Sequence, residues 1–454
     1  MSVNFKQSRY TVITSPIDGE NCIIYSTRTS KSFIISQKNL ENIRNNNFNL
    51  INPETFMHLL DAEIIINSEE NELEKVLSDF KNNSESSYEF GLTIQPSGNC
   101  QLGCNYCGQD HTKLEINDST FTNIISHVNE KLEEKPYKVF TVTWYGAEPL
   151  MSLHNINRLS EEFLKISAER GLRYNALMIT NGLSLKPKIF EILSRDYKID
   201  RYQITLDGDE EFHDKSRFTK KGLPSFNIIY KNIIECVRSQ AYKETNAKFL
   251  IRCNVTKENS NGIKDLLNKF AGEGIQDKIA IELAPVHDWG GNNADQKGFT
   301  RSDFAGLEID WIIHMKDLGF RIPSLIPKRR YNTCMVTSGD SAELIDASGN
   351  ITYCWETTYT AGYNQSEYMI GNINKEHKYY AHKSTAPLKD WYDKVGEGYS
   401  WCKECNLLPV CGGACPISWA KGQPACPSFK FNIQDKLILE YLILRERQNV
   451  LTRN

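Results

Sequence analysis

Between Tyr88 and Leu318 the chain alternates short apolar runs with longer stretches in which apolar residues recur every three or four positions. Apolar runs rich in β-branched and aromatic residues predict strands, and the longer spacing predicts amphipathic helices between them. The predicted strands are Phe90–Gln95, Val139–Trp144, Asn175–Thr180, Arg201–Leu206, Lys248–Asn254 and Lys278–Leu283. The predicted helices are Ser119–Leu132, Ile156–Arg170, Pro187–Ser194, Phe226–Ser239 and Gly262–Gly272. Repeated strand–helix units predict a parallel sheet, and six such units suit a partial (β/α)6 barrel of the TIM type.

The regions before and after this alternation have other patterns. Residues 1–88 combine short β-type segments, two helical patterns and an apolar strand, and they end in a polar linker. We expect them to form a small α+β domain. Residues 319–454 lose the strand–helix rhythm, become rich in Cys, Gly and Pro, and close with a helix over Ile433–Arg447. The predicted fold class is therefore α/β, with domains over residues 1–88, 89–318 and 319–454.

Composition narrows the class of protein. The formal net charge is −4, so the basic excess of a nucleic-acid-binding protein is missing. No apolar run reaches the roughly 18–20 residues of a membrane span, and the N-terminus lacks the apolar centre of a signal peptide. We therefore expect a cytoplasmic protein with no nucleic-acid or membrane partner. In that reducing compartment the 13 cysteines, where they cluster, indicate metal ligands rather than disulfides.

One cysteine cluster directly follows the first predicted strand. Cys100, Cys104 and Cys107 form a C-x3-C-x2-C pattern. Thiolates are the usual ligands of iron–sulfur clusters, and three of them leave one iron of a four-iron cluster for a small molecule. The alternative is a structural zinc site with His111 as the fourth ligand. The spacing is unusual for zinc, so it favours the cluster.

The residues that follow resemble the radical S-adenosylmethionine (AdoMet) superfamily. Trp144–Pro149 ends the second strand and is similar to the family's G-G-E-P segment, with Ala147 at the second glycine. The resemblance implies a 4Fe-4S cluster that cleaves AdoMet to a 5′-deoxyadenosyl radical, which removes hydrogen from a substrate. The AdoMet contacts that it implies are Tyr106, Gly146, Ala147, Glu148, Pro149, Asn181, Thr205, Asp207, Arg217 and Arg252.

A second cysteine pattern occupies the C-terminal region. Cys402 begins a C-x2-C-x5-C-x3-C run, and three further cysteines flank this run. The layout resembles the SPASM domain of radical AdoMet maturases, which carries two auxiliary four-iron clusters. The resemblance implies a distal cluster on Cys402, Cys405, Cys411 and Cys426. It implies a nearer cluster on Cys334, Cys354 and Cys415.

The ligand set of the nearer cluster is incomplete. Some relatives supply a fourth cysteine six residues after the first, where this chain has Asp340. Asp340, a ligand from elsewhere and an open iron all stay possible, and Asp340 is equally compatible with a solvated loop. A pair of zinc sites is the alternative for the whole region. Cys22, Cys236 and Cys253 fall outside both patterns and are predicted to be ordinary buried thiols.

The N-terminal pattern resembles the winged-helix domain that recognises precursor peptides in many SPASM enzymes. Such domains bind a leader peptide by adding it to a sheet edge. The combination predicts a maturase of a ribosomally made precursor peptide, which forms an intramolecular thioether, C–C or C–O cross-link. An electron donor such as flavodoxin or ferredoxin is the second expected partner.

Two other functions stay open. An anaerobic sulfatase maturase oxidises a Cys or Ser side chain, and an aspartate usually follows its second SPASM cysteine as the base. Here Cys354 is followed by Trp355 and Glu356, which makes Glu356 a candidate proton acceptor. His287 and Asp288 follow the sixth strand and are candidate substrate contacts. The other alternative is a non-catalytic iron–sulfur electron-transfer protein, which would have no use for the segment that resembles G-G-E-P.

Overall fold

The computed structural model describes residues 4–85, 87–288, 291, 293–331, 334–338, 340–360, 363, 365–380 and 386–451. Its N-terminal strands are β1 (Phe5–Gln7), β2 (Thr11–Ile13), β3 (Asn21–Ser26), β4 (Ser32–Ser36) and β5 (Ile65–Asn67). The helices of this region are α1 (Gln37–Arg44), α2 (Pro53–Asp61) and α3 (Glu72–Glu85). Strands β2, β3 and β4 form an antiparallel sheet in that order, and β1 pairs with β5. The region has the mixed α and β composition that its sequence predicts.

Six parallel strands form the centre of the molecule. They are β6 (Glu89–Ile94), β7 (Val139–Trp144), β8 (Arg173–Thr180), β9 (Arg201–Thr205), β10 (Lys248–Val255) and β11 (Ile279–Pro285). Each strand pairs with the next one along the chain, so the carboxyl ends of all six lie at one edge of the sheet. All six overlap predicted strands, and the prediction of an α/β fold with a parallel sheet is confirmed.

Helices connect these strands. They are α4 (Asp118–Glu134), α5 (Leu153–Glu169), α6 (Pro187–Arg195), α7 (Glu210–Ser216), α8 (Phe226–Arg238), α9 (Gln240–Thr245), α10 (Gly262–Gly272) and α11 (Arg301–Asp317). The five predicted helices correspond to α4, α5, α6, α8 and α10, whose apolar residues face the sheet. The sequence pattern does not predict the short helices α7 and α9, nor α11.

The C-terminal region continues the same sheet. Its strands are β12 (Ala342–Ile345), β13 (Asn350–Thr352) and β14 (Met369–Asn372). Strand β12 lies parallel to β6, and β13 and β14 follow in antiparallel order, which gives a sheet of nine strands. The helices are α12 (Gln365–Tyr368), α13 (Trp391–Glu397), α14 (Leu408–Cys411), α15 (Pro416–Ala420) and α16 (Phe429–Leu451). The sheet therefore crosses the predicted domain boundary at residue 318.

The main core lies between the central sheet and its helices, where Trp144, Phe140 and Phe163 are fully buried. Two smaller clusters join the chain ends. In the first, Tyr10 and Phe80 of the N-terminal region pack with residues of the cysteine-rich region, including Trp391. The second joins strands β2 and β3 to α16. Among the helices that the structure describes, none combines the length and the apolar character that crossing a membrane requires.

Candidate functional site

The loop after β6 carries the first three cysteines at the carboxyl edge of the sheet. Main-chain hydrogen bonds from Gly103 to Phe218 (2.8 Å) and from Asn105 to Ser216 (3.0 Å) fix this loop against the end of α7 and the residues that follow it. Burial raises the pKa of Cys100 to about 12 and that of Cys104 to about 11. The charge of Cys104 adds a smaller increase to the pKa of Cys100, and the charge of Cys107 adds one to the pKa of Cys104. The three thiols therefore share one site.

The segment that resembles G-G-E-P makes a turn beside this loop. Gly146 has φ +87° and Ala147 has φ +44°, both in the left-handed region. Ala147 thus adopts the conformation that its position demands, although glycine adopts it more readily. The Ala147 amide donates to Oε1 of Gln109 at 2.9 Å, and Gln109 lies two residues after Cys107. This hydrogen bond, which the sequence does not predict, joins the turn to the cysteine loop.

Glu148 joins the ends of β7 and β8. Its side chain is fully buried. Oε1 accepts hydrogen bonds from Thr180 Oγ1 (2.7 Å) and the Leu150 amide (3.1 Å), and Oε2 accepts one from the Asn181 amide (2.7 Å). Burial raises the pKa of this carboxyl. Pro149 then begins a short 3-10 helix that ends at Ser152.

A polar network surrounds the Tyr106 hydroxyl. This hydroxyl donates to Oδ2 of Asp207, and it accepts hydrogen bonds from Arg217 (2.7 Å) and from Nδ2 of Asn254 (3.2 Å). The main-chain amide of Asn254 donates a hydrogen bond to Oδ1 of Asp207 at 2.8 Å. Burial raises the pKa of Asp207, and the Arg217 guanidinium opposes this shift. The network joins the cysteine loop to the ends of β9 and β10.

The network continues toward the last parallel strand. Arg252 donates from Nε to Oδ1 of Asn254 (3.0 Å) and pairs with Glu282 of β11 (3.1 Å). Thr205 is the register partner of Arg252 in β9. Asn181 donates from Nδ2 to the Cys100 sulfur at 3.7 Å. The structure thus brings the predicted AdoMet contacts to one edge of the sheet, and it adds Glu282, which the sequence does not identify.

The distal cysteines enclose a cavity. Its walls are otherwise apolar, apart from Lys430. The indole nitrogen of Trp401 (3.4 Å) and the ammonium of Lys430 (3.5 Å) donate to the Cys426 sulfur. Burial, followed by the Cys402 thiol, raises the pKa of Cys411 to about 12. The cysteines that line this cavity are Cys402, Cys405, Cys411 and Cys426.

Electrostatic interactions also link the remaining three predicted ligands, which are Cys334, Cys354 and Cys415. Burial raises the pKa of Cys334 to about 11, and the Cys415 thiol contributes to that shift. The pKa of Cys354 is raised by burial, then by Glu356, Cys415 and Cys334. Asp340 acts on the pKa of Lys389, on which Cys334 also acts, and on the pKa values of the Tyr137 and Tyr379 hydroxyls. Cys334, Cys354 and Cys415 therefore interact with one another, and the other four C-terminal cysteines line the cavity described above.

The cysteine sites can also be compared with the requirements of a single metal ion. Within the part of the chain that the structure describes, no three His, Cys, Asp or Glu side chains are arranged to hold one metal ion. A tetrahedral zinc ion needs its sulfur ligands at about 2.3 Å. An iron–sulfur core is larger than one ion, so its ligands stand further apart. Cysteine thiolates are the usual ligands of such a core, so the donor set of these sites suits it.

Two of the three predicted catalytic residues lie together. Nε2 of His287 is 3.5 Å from Oε1 of Glu356, and the Tyr363 hydroxyl donates to Oε2 of Glu356 at 3.4 Å. The carboxylate of Asp288 accepts hydrogen bonds from the amides of Gly291 (2.7 Å) and Asn293 (3.3 Å), which closes its own loop.

An aromatic pair joins the two cysteine sites nearest to the sheet. The rings of Tyr145 and Trp355 stack with centroids 5.0 Å apart and an interplanar angle of 27°. The indole nitrogen of Trp355 donates to Thr93 Oγ1 of β6 at 3.0 Å. Tyr145 precedes the turn at Gly146, and Trp355 follows Cys354. The sequence does not predict this contact, because the two rings are far apart along the chain.

Comparison with known proteins identifies the class. Residues 94–274 match the radical SAM superfamily. The chain is 22% identical over 361 residues to the serine-type anaerobic sulfatase-maturating enzyme of Bacteroides thetaiotaomicron, across 72% of this chain and 82% of that protein. It is 23% identical over 351 residues to the radical SAM cyclopropyl synthase TigE of Paramaledivibacter caminithermalis, across 71% and 67% of the two chains. The solved structure of native anSMEcpe with bound AdoMet and Cp18Cys peptide has the same fold, with a TM-score of 0.57, 17% identity, and coverage of 81% and 100%.

Residues 94–274, which contain the first three cysteines and most of the polar network, therefore form a radical SAM domain. The chain thus carries a radical SAM enzyme domain, and the resemblance seen in the cysteine spacing is confirmed. Membership implies AdoMet and a 4Fe-4S cluster, which fit the grouped thiols and the polar network described above.

Proposed function

We propose that the protein is a radical AdoMet maturase that modifies a ribosomally made precursor peptide, by forming an intramolecular cross-link. The observation that carries this proposal is the contact between the AdoMet edge of the sheet and a second cysteine set, through Tyr145 and Trp355. A substrate side chain held there would lie between the two sites. The names of the relatives, two maturating or synthesising enzymes, are in keeping with such a reaction.

We assign the first 4Fe-4S cluster to Cys100, Cys104 and Cys107, and AdoMet to the polar edge next to them. Together these cofactors supply a 5′-deoxyadenosyl radical, which starts the reaction. The chain holds the methionine end of AdoMet at Gly146–Pro149. Thr205 and Arg217 bind its carboxylate or ribose.

We assign two further 4Fe-4S clusters to the distal and the nearer cysteine sets. Anaerobic reconstitution should then give about twelve irons per chain, from three four-iron clusters. Cys411→Ala should lower the count to about eight and spare part of the AdoMet cleavage, because the distal set lies away from the AdoMet edge. An iron count near four in the unaltered protein would contradict the auxiliary clusters.

The N-terminal region supplies a docking edge for the peptide. Asn406 donates to the Thr11 carbonyl at 3.3 Å, so the C-terminal region covers part of β2. Within the described residues β4 pairs only with β3, which leaves its other edge for a further strand. Ile34 of β4 is 53% exposed, so an apolar contact is available there. We assign this edge to the leader of the precursor peptide.

We assign the proton that leaves the substrate to Glu356, with His287, 3.5 Å away, and Asp288 as the substrate contacts. Flavodoxin or ferredoxin, in the cytoplasm, is the proposed source of electrons. Coexpression with a precursor peptide encoded beside this gene tests the reaction itself. A peptide that has lost two hydrogens means a cross-link, and an unchanged mass would contradict the cross-link.

The second candidate is oxidation of a Cys or Ser side chain in a sulfatase. The identity to a sulfatase-maturating enzyme over 82% of that protein favours it. Two features count against it. Cys354 is followed by Trp355 and Glu356, where sulfatase maturases usually have an aspartate, and the chain has an additional N-terminal sheet. Incubation with a sulfatase-derived Cys or Ser peptide distinguishes the two, because only this candidate predicts oxidation of that side chain.

A further inference from the structure

Two nitrogen donors of the distal cavity are directed at the same cysteine. The indole N–H of Trp401 donates to the Cys426 sulfur at 3.4 Å, and the ammonium of Lys430 donates to it at 3.5 Å. Cys426 is buried, and both donors line the cavity that it shares with the other three distal cysteines. The Cys426 sulfur is therefore a predicted cluster ligand that already accepts two side-chain hydrogen bonds.

The neighbours of Trp401 fix its orientation. Its ring packs edge-to-face on Trp419, with centroids 4.8 Å apart and an interplanar angle of 85°. Trp419 in turn donates from Nε1 to the Gly413 carbonyl at 2.9 Å, and both residues line the same cavity. An indole has one donor and no acceptor, and here that donor meets a sulfur although the ring is half-exposed.

Lys430 brings a positive charge to this sulfur. It lies in the first turn of α16, four residues after Cys426, and its ammonium is 5.1 Å from the centroid of the Trp401 ring. Among the described residues, this ammonium has the sulfur and the ring as partners and no carboxylate. Its charge is therefore directed at the cysteine and is not neutralised by an ion pair.

Donors at a ligand sulfur change how easily a cluster takes up an electron. Reduction adds one negative charge, which is shared between the cluster and its thiolate ligands. Hydrogen bonds to those sulfurs stabilise the more negative state and so raise the reduction potential. A charged donor has the larger effect, and an apolar cavity strengthens it.

We propose that Lys430 and Trp401 raise the reduction potential of the distal cluster through their hydrogen bonds to the Cys426 sulfur. The inference rests on the proposed function, because it presumes that this cluster forms. Both are positioning residues, since they bind neither iron nor substrate and act through a ligand. Lys430 contributes the larger part, because its donor is charged and that of Trp401 is neutral.

The test uses the full chain without its first cluster, so that only the auxiliary clusters contribute. The background substitutions are Cys100→Ala, Cys104→Ala and Cys107→Ala. The distal signal is the part of the electron paramagnetic resonance spectrum of the reduced protein that a further Cys411→Ala removes. Its midpoint potential is measured by anaerobic redox titration.

Three variants are compared with this background protein. Lys430→Met keeps the length of the side chain and removes the ammonium, and Trp401→Phe keeps an aromatic ring and removes the N–H. The matched control is Lys403→Met, which removes a positive charge from the residue after Cys402. Lys403 donates to no cysteine sulfur in the part of the chain that the structure describes.

At the midpoint potential of the background protein, we expect Lys430→Met to lower the ratio of reduced to oxidised distal cluster about tenfold. For a one-electron couple this is a shift of about 59 mV to more negative potential. Trp401→Phe should lower the ratio by a smaller factor, and Lys403→Met should leave it nearly unchanged. If Lys430→Met loses the cluster, the Trp401→Phe potential decides.

An unchanged potential in Lys430→Met or in Trp401→Phe would overturn the role of that side chain. Equal shifts in Lys430→Met and Lys403→Met would overturn the inference, because general charge rather than the hydrogen bond would then set the potential. If Cys411→Ala removes neither iron nor signal from the background protein, the distal cluster of the proposed function is itself contradicted.

Discussion

Gly146 and Ala147 both have left-handed backbone conformations, but the two positions differ in how well they accept a substitution. A Cβ on Gly146 would lie 2.5 Å from three side-chain atoms of Gln95, which is fully buried. The left-handed conformation also costs an alanine about 1–2 kcal/mol. We therefore expect Gly146→Ala to lower the thermal midpoint of the cluster-free protein and to weaken AdoMet binding by the reconstituted protein.

Ala147→Gly is the matched control. It removes a left-handed strain of about 1 kcal/mol, which the greater freedom of the unfolded chain offsets in part. Its thermal midpoint and AdoMet affinity should match those of the unaltered protein or exceed them. Equal behaviour of the two variants would contradict the geometry of the turn.

His213 makes the stability depend on pH. Burial, followed by the Arg217 cation, lowers its pKa from 6.5 to about 2. Nδ1 accepts from the Asp207 amide (3.1 Å), and Nε2 lies 3.0 Å from Ser225 Oγ. The Ser225 hydroxyl donates to the Arg217 carbonyl at 2.7 Å, so Nε2 carries the proton of a neutral ring.

The sign of the effect follows from this lowered pKa. Below about pH 6.5 His213 binds a proton in the unfolded chain but not in the folded protein, so the free energy of unfolding falls as the pH falls. Between about pH 7.5 and pH 5.5 the loss is about 1.4 kcal/mol. Urea unfolding of cluster-free His213→Gln should show a pH dependence smaller by that amount. The exposed His154, substituted by Gln, should leave the dependence unchanged, and the same result for both would contradict the account.

Among individual residues, the sequence identifies the candidate ligand cysteines but not the contacts between the other side chains of the site. Cys100, Cys104 and Cys107 are recognisable because a loop that binds a cluster needs ligands at close spacing in one segment. The contact between His287 and Glu356 is not recognisable, because it depends on how two distant loops fold over the same edge. The ring stack of Tyr145 on Trp355 is missed for the same reason.

Among the elements, β12 is the one that attaches the cysteine-rich region to the sheet. Its Glu343 is fully buried. Oε2 lies 2.7 Å from Nε2 of His127, and Oε1 accepts from the Tyr379 hydroxyl at 3.0 Å. Lys131, also on α4, lies 3.9 Å from Oε1. One carboxylate thus joins β12 to the first helix of the radical SAM domain.

Glu343→Ala should be strongly destabilising. The substitution removes the carboxylate that buried side chains contact, and we expect it to lower the free energy of unfolding by about 3 kcal/mol. Glu343→Gln keeps an acceptor and should cost less. Glu130→Ala, which removes a half-exposed ion pair with Lys378, should stay within about 1 kcal/mol of the unaltered protein. Chemical denaturation measures all three, and a loss for Glu343→Ala no larger than that for Glu130→Ala would argue against this anchor.

The periodic pattern predicts the parallel strands but not the strands that extend them. Strands β6 to β11 each have five to eight residues, with several apolar residues among them, and they recur between helical stretches, so the pattern identifies them. Strands β12 and β13 have only four and three residues, too few for a pattern. Helix α11 is missed because α10, β11 and α16 all contact it, so that its apolar residues are not confined to one stripe.

Over the whole molecule, the two ends of the chain meet at the distal cysteine site. Arg329 is the centre of this contact. Its guanidinium lies 4.8 Å above the Phe80 ring, donates to the Pro409 carbonyl (2.7 Å) and pairs with Asp79 (3.2 Å). The N-terminal region is therefore joined to the cysteine-rich region. Sequence patterns predict each region but not this contact, because it joins opposite ends of the chain.

Arg329→Ala should loosen the N-terminal region. The side chain is only 6% exposed, so its loss removes packing as well as charge. Limited proteolysis should then cut the chain near the end of α3 several-fold faster than in the unaltered protein. The exposed neighbour Arg330, replaced by Ala, is the control and should leave the rate unchanged. Equal rates for the two variants would contradict the proposed docking.

The most direct test of the account is the cleavage of AdoMet by the whole protein. Reconstituted anaerobically and reduced, the protein should convert AdoMet to 5′-deoxyadenosine and methionine. Cys104→Ala should abolish this reaction, because that thiol belongs to the first site. A protein with its full iron content that forms no 5′-deoxyadenosine would contradict the assignment of the three cysteines.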